Sequence, residues 1–129
     1  MKRIYFVLAA LIATALLCFG MGKHRSWIER ADSDPKTASR VNPFEGQEAE
    51  IKAGQKLYRR YCSACHGVDA NGSFRNPSLD SPTVMNASAG ELYWLLENGS
   101  LQRRMPSWSF LPPEQRWQLI AWIRSRPAR

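Results

Sequence analysis

The stretch Cys62-Ser63-Ala64-Cys65-His66 constrains this chain more than any other five residues in it. A Cys-x-x-Cys-His run is the attachment signature of a c-type haem. Each thiol can add across one vinyl group of the porphyrin to give a thioether. The two-residue spacer sets the sulfurs about one helical turn apart, matching the vinyl spacing. The adjoining histidine then lies beneath the iron and is placed to bind it axially.

Other chemistries fit the run less well. A structural zinc site needs four protein ligands, and a catalytic one needs three with an open position. Outside the run the chain offers only Cys18 and His24, both in or beside an apolar leader, and no second Cys-x-x-Cys. A thioredoxin-like pair would open a helix in a βαβ unit, and no segment here has a strand pattern. With three cysteines in all, two of them committed to haem, a disulfide framework is not expected.

The N-terminus supplies the compartment. Lys2 and Arg3 precede an unbroken apolar run, Ile4 to Met21, the layout of a charged n-region and an h-region. It sends the rest of the chain out of the cytoplasm, to the bacterial periplasm where c-type haem is attached. The run exceeds the roughly 7–15 residues of a usual h-region and approaches the ~18 that span a bilayer. Residues 1–22 therefore read as a signal peptide or an inner-membrane anchor. Residues 23–44 are charged and rich in Ser, Asp and Pro, and read as a flexible tether. Residues 45–129 form one domain. The net charge of +7 belongs largely to the leader and tether. From Glu45 to Arg126 there are ten Lys/Arg against eight Asp/Glu, a balance that argues against nucleic acid as a partner.

The domain reads as all-α. Helical spacing begins near Gln47 and runs to Tyr61, with Ile51, Gly54, Tyr58 and Tyr61 on one face. Gly54 in mid-helix costs about 1 kcal/mol relative to Ala, so it calls for close approach of another helix. Val68 to Val84 reads as loop, broken by Asn71-Gly72, Asn76-Pro77 and Ser81-Pro82. Ser88-Ala89-Gly90-Glu91 is a capping box opening a short helix that Asn98-Gly99 closes. Pro112-Pro113-Glu114 starts a last helix, apolar over a wide arc and ended by Pro127. Two methionines outside the leader, Met85 and Met105, could supply a thioether. A lone methionine is more often a core gap-filler, and that role suits Met85 better than Met105, which sits in the polar loop Arg103-Arg104-Met105-Pro106-Ser107-Trp108.

In this order, Gly54 and Tyr58, Cys62 to Gly67, Pro77 with Leu79, Met105-Pro106, and Leu119 with Trp122 resemble the class I cytochrome c family over roughly Gln47 to Arg126. The likeness is greatest to small bacterial monohaem cytochromes and to cytochrome domains joined to periplasmic dehydrogenases. The resemblance implies a small cytochrome c fold whose N- and C-terminal helices cross, Gly54 and Tyr58 meeting Trp122, which stands where the family often has tyrosine. It also implies one covalent haem c on Cys62 and Cys65, iron ligated by His66 and Met105, and the Pro77 carbonyl accepting from the second ring nitrogen of His66. From the residues alone Pro77 is a turn residue.

The haem would also complete a marginal core of some eighty residues, covered by Leu79, Leu95, Leu96, Trp108 and Trp117. Arg59, Arg60, Arg103 and Arg104 are candidates for a docking rim, with a solvated surface as the plainer reading of Arg59 and Arg60. The expected activity is one-electron transfer between redox proteins such as a dehydrogenase, an oxidase or a membrane respiratory complex. An iron closed on both sides leaves no position for substrate, so the chain is not expected to be an enzyme. The alternatives are the cytochrome component of a dehydrogenase or oxidase complex, or a haem-based ligand sensor in which Met105 gives way.

Overall fold

A computed structural model describes residues 35–127 of the chain. The leader or anchor at 1–22, with Cys18, and the first part of the tether, with His24, lie outside the described residues. The helices are α1 Pro35–Ala38, α2 Glu48–Tyr61, α3 Ser63–His66, α4 Pro82–Met85, α5 Ala89–Asn98 and α6 Pro113–Arg124, with a 3₁₀ turn at Leu101–Arg103 between α5 and α6. Among the described residues the only strand-like pairing is an isolated antiparallel bridge between Ser100 and Met105.

The crossing of α2 and α6 is the main helix–helix contact. A Cβ on Gly54 would lie 2.0 Å from the Gln118 carbonyl oxygen and 3.0 Å from Trp122 Cβ, so the backbones touch where Gly54 has no side chain. Beside that point the Tyr58 and Trp122 rings meet at 4.2 Å between centroids, and Gln118 donates to Glu50 at 2.7 Å. Tyr58, Tyr93, Leu119 and Ile120 are the largest fully buried side chains. The apolar arc of α6 is buried through Trp117, Leu119, Ile120, Ala121, Trp122 and Ile123.

Local signals place the remaining ends. The Ser88 hydroxyl accepts from the Glu91 amide at 3.2 Å, and the Glu91 carboxylate accepts from the Ser88 amide, so α5 opens on a full capping box. Gly99 closes it. Pro113 stands at the start of α6, where a proline has no amide to lose.

Two stretches differ from the sequence reading. Pro82 does not only break the loop at 68–84: it occupies the first turn of α4. Residues 35–44, read as the end of a tether, pack on the domain. Thr37 and Asn42 are buried. The Asn42 side-chain amide donates to the Trp117 carbonyl at 3.0 Å, and the Arg40 guanidinium lies 4.0 Å from the centre of the Tyr93 ring. A Cβ on Gly90 would lie 1.8 Å from the Thr37 carbonyl oxygen, so α1 rests directly on the backbone of α5.

Gly54→Ala should destabilise the protein despite alanine's better helix propensity, because the added methyl drives into a carbonyl that cannot rotate away. Overpacking of this kind costs roughly 1–3 kcal/mol, read as a lowered denaturant midpoint. Asn42→Ala should cost roughly 1 kcal/mol through loss of a buried hydrogen bond. An unchanged melting temperature would return residues 35–44 to the status of a loose tether.

Candidate functional site

A cavity of about 240 Å³ opens between the end of α2, α3, the 76–79 loop, α5 and the loop that follows it. Seven of the residues singled out from sequence line it: Cys62, Cys65, His66, Pro77, Leu79, Met105 and Trp108. Leu95 and Leu96 line it as well, as do the exposed Arg103 and Arg104. Arg59 and Arg60 are exposed residues of the last turn of α2 and are not part of the wall. Trp117, expected to cover haem, instead stacks on Tyr93 with ring centroids 4.3 Å apart, beneath Arg40. Met85 is half-buried and is not on the wall.

The Cys-x-x-Cys-His run is a single helical turn. Cys62 ends α2 and begins α3, and its carbonyl accepts from the Cys65 amide at 3.1 Å and the His66 amide at 2.9 Å. The turn is held from outside by Asn76, whose amide donates to the Cys65 carbonyl at 3.0 Å, and by the Gly72 amide on the His66 carbonyl at 2.8 Å. The Tyr58 hydroxyl donates to the Gly67 carbonyl. Burial, reinforced by Cys62, pushes the Tyr58 phenol up to about 12, so it stays a donor.

His66 Nδ1 lies 3.0 Å from the Pro77 carbonyl oxygen. A carbonyl only accepts, so Nδ1 carries the proton and Nε2 keeps its lone pair. Cys62 and Cys65 are not joined in a disulfide. Burial first, and Cys65 second, push the Cys62 thiol up to about 11.

Elsewhere on the wall, Met105 pairs with Ser100 through both backbone bonds, 2.8 and 3.0 Å. Trp108 follows, its amide on the Leu96 carbonyl at 2.7 Å and its ring 5.7 Å from that of Tyr61. Sequence reasoning missed Tyr61, Asn76, Val84, Leu92, Ser100 and Ile123 as wall residues. Asn76 was visible only as a turn former, and Val84, Leu92 and Ile123 only as apolar residues with no stated direction. Ser100 gave no signal at all.

The family model for cytochrome c oxidase, cbb3-type, subunit III, matches residues 49–123. Thiosulfate dehydrogenase of Allochromatium vinosum is 29% identical over 82 residues, covering 57% of this chain and 30% of that protein. The chain thus spans less than a third of the length of that relative. The crystal structure of cytochrome cL from the marine methylotroph Methylophaga aminisulfidivorans superposes with a TM-score of 0.60 at 26% identity, over 81% of this chain and 70% of that one.

The donors present fit a covalent haem. Two thiols, an imidazole with a free nitrogen and a thioether share one largely apolar cavity. Ser100 Oγ is buried on the same wall without a hydrogen-bond partner. A buried hydroxyl left so is costly, and a carboxylate-bearing group beside Arg103 and Arg104 would satisfy it. Produced with haem-attachment machinery, the protein should gain the mass of one haem. The Cys62→Ala, Cys65→Ala double variant should gain none, as intact mass spectrometry would report.

Proposed function

This chain belongs to the cytochrome c family described as cytochrome c oxidase, cbb3-type, subunit III, and from that premise we propose that it is a one-electron carrier in which His66 and Met105 would bind the haem iron. It is a class I c-type cytochrome, and its cofactor is covalently bound haem c. When bound, that group supplies a reversible one-electron couple at its iron.

In this reading Cys62 and Cys65 hold the cofactor by thioether bonds. His66 presents Nε2, while its Nδ1–H on the Pro77 carbonyl fixes the ring and raises the basicity of the ligating nitrogen. Met105 presents a soft sulfur, which favours the reduced state and raises the potential. Leu79, Leu95, Leu96 and Trp108 keep water from the site. Both ligands stay in place in either oxidation state, so no protein group has to move for an electron to pass. No position is left for a substrate, and the chain acts as a carrier and not as an enzyme. The observation that carries this reading is the placement of His66, its Nδ1 tied back by Pro77, and Met105 on the wall of a single cavity.

The partners are redox proteins, met through the part of the cavity rim that carries the exposed Arg103 and Arg104. Cytochrome c domains of bacteria are typically periplasmic, and the charged-then-apolar leader assigns the same compartment here. Among the described residues no helix is long and apolar enough to cross a membrane, so attachment to the inner membrane rests on Ile4 to Met21 alone. The similarity to part of a thiosulfate dehydrogenase favours one second reading, in which the domain serves as the cytochrome component of a dehydrogenase complex.

The oxidised holoprotein should show a methionine-to-iron charge-transfer band that Met105→Ala abolishes. The reduced protein should not bind carbon monoxide. Ready binding of carbon monoxide by the unmutated protein would instead make it a ligand sensor.

A further inference from the structure

The loop that carries Met105 is gripped more firmly than a surface loop requires. Its backbone is paired with Ser100 on both sides of one residue. Arg104, immediately before Met105, adopts the left-handed conformation at φ 56°, ψ 27°, which non-glycine residues enter at a cost and keep only when their surroundings impose it. Beyond Met105 the Ser107 hydroxyl donates to the Glu97 carbonyl at 2.5 Å, and the Trp108 amide donates to the Leu96 carbonyl. Each of these partners belongs to the last turn of α5 or to the two residues after it.

The grip passes through Gly99. It sits at φ 68°, ψ −165°, a region open in practice only to glycine. A Cβ there would lie 2.6 Å from the Met105 carbonyl oxygen, 2.7 Å from the Pro106 carbonyl carbon and 2.7 Å from the Ser107 amide nitrogen. The loop therefore passes directly across Gly99, and no side chain fits between them.

We propose that Gly99, Ser100 and Ser107 form a clamp that seats Met105 in the cavity and sets how often its sulfur leaves the iron. They are positioning residues, since none of them is itself a ligand. The inference rests on Met105 being the sixth ligand. A clamp of this kind has a measurable consequence. An external ligand that competes for the sixth position binds only the fraction of molecules in which Met105 has let go, so its apparent affinity reports that fraction. Loosening the clamp raises the apparent affinity up to the limit set by a protein with no methionine at 105.

The test is titration of the oxidised holoprotein with imidazole, following the change in the haem absorption spectrum as imidazole binds, a signal that a variant without Met105 also gives. Gly99→Ala should raise the apparent affinity roughly tenfold or more through backbone strain and the displaced loop. Ser107→Ala, which removes one hydrogen bond, should raise it about threefold. Gly46→Ala is the control: Gly46 also has a positive φ, +77°, but a Cβ there meets nothing within 4 Å. It should leave imidazole affinity unchanged even if it lowers the melting temperature. Met105→Ala fixes the upper limit. If Met105→Ala raises the affinity while Gly99→Ala and Ser107→Ala both keep the unmutated value, the clamp is wrong. Should Gly99→Ala fail to accumulate as folded holoprotein, Ser107→Ala decides alone in the same way. If Met105→Ala itself changes neither affinity nor band, the ligand assignment fails, which is a separate result.

Discussion

Everything around the cavity depends on the contact between the backbones of α2 and α6 at Gly54. Because the carbonyl of Gln118 sits where a side chain would be, α2 is held against α6 at backbone distance, with Tyr58 and Trp122 stacked beside the crossing. α2 then runs without a break into Cys62, so the direction fixed at Gly54 is the direction in which the two thiols and His66 are delivered. α6 contributes Ile123 to the wall of the same cavity. Glycine's cost in helix propensity, about 1 kcal/mol, is small beside the overpacking that any larger residue would bring.

The cavity is not separate from the core. Val84, Leu92, Leu96 and Ile123 are buried core residues and wall residues at once. An apolar group filling that space completes their contacts, so cofactor binding and folding draw on the same interactions. The arrangement suits a chain of this size, for which a single core of side chains supplies little surplus stability.

Much of this was legible because it is local. The capping box at Ser88 and Glu91, the glycine after Asn98 and the proline opening α6 each act within a few residues, and both ends of α2 and α5 and the start of α6 fall within a residue or so of where the sequence puts them, while α6 stops at Arg124, short of Pro127. The glycine at 54 signalled a crossing because its cost needed a reason. What escaped the sequence depends on distant partners. Asn42 is polar and follows a stretch with no periodicity, and only the Trp117 carbonyl, 75 residues on, explains its burial. Trp108 and Trp117 were both expected to cover haem, yet one lines the cavity and the other packs on Tyr93. Pro82 looked like a breaker because proline both ends helices and begins them. The two methionines differ in the structure by a fact no sequence pattern contains: Met105 is on the cavity wall and Met85 is not.

The two sides of the cavity are built on different principles. The histidine side is contiguous: Cys62, Gly72, Asn76 and Pro77 all lie within eleven residues of His66 and bond to it or to its turn. The methionine side is tertiary. Its loop is fastened to the end of α5, and α5 is held by α1 on the backbone at Gly90 and by α6 through Arg116, whose guanidinium reaches Glu97 at 3.3 Å and the Tyr93 hydroxyl at 2.6 Å. Arg40 from the N-terminal segment lies over the same Tyr93 ring. The physical route from that segment into the cavity therefore runs through α5 to the methionine, while the histidine turn is secured by its own neighbours. A histidine fixed by its sequence neighbours and a methionine held by the fold place any dependence of the cavity on the wider protein at Met105.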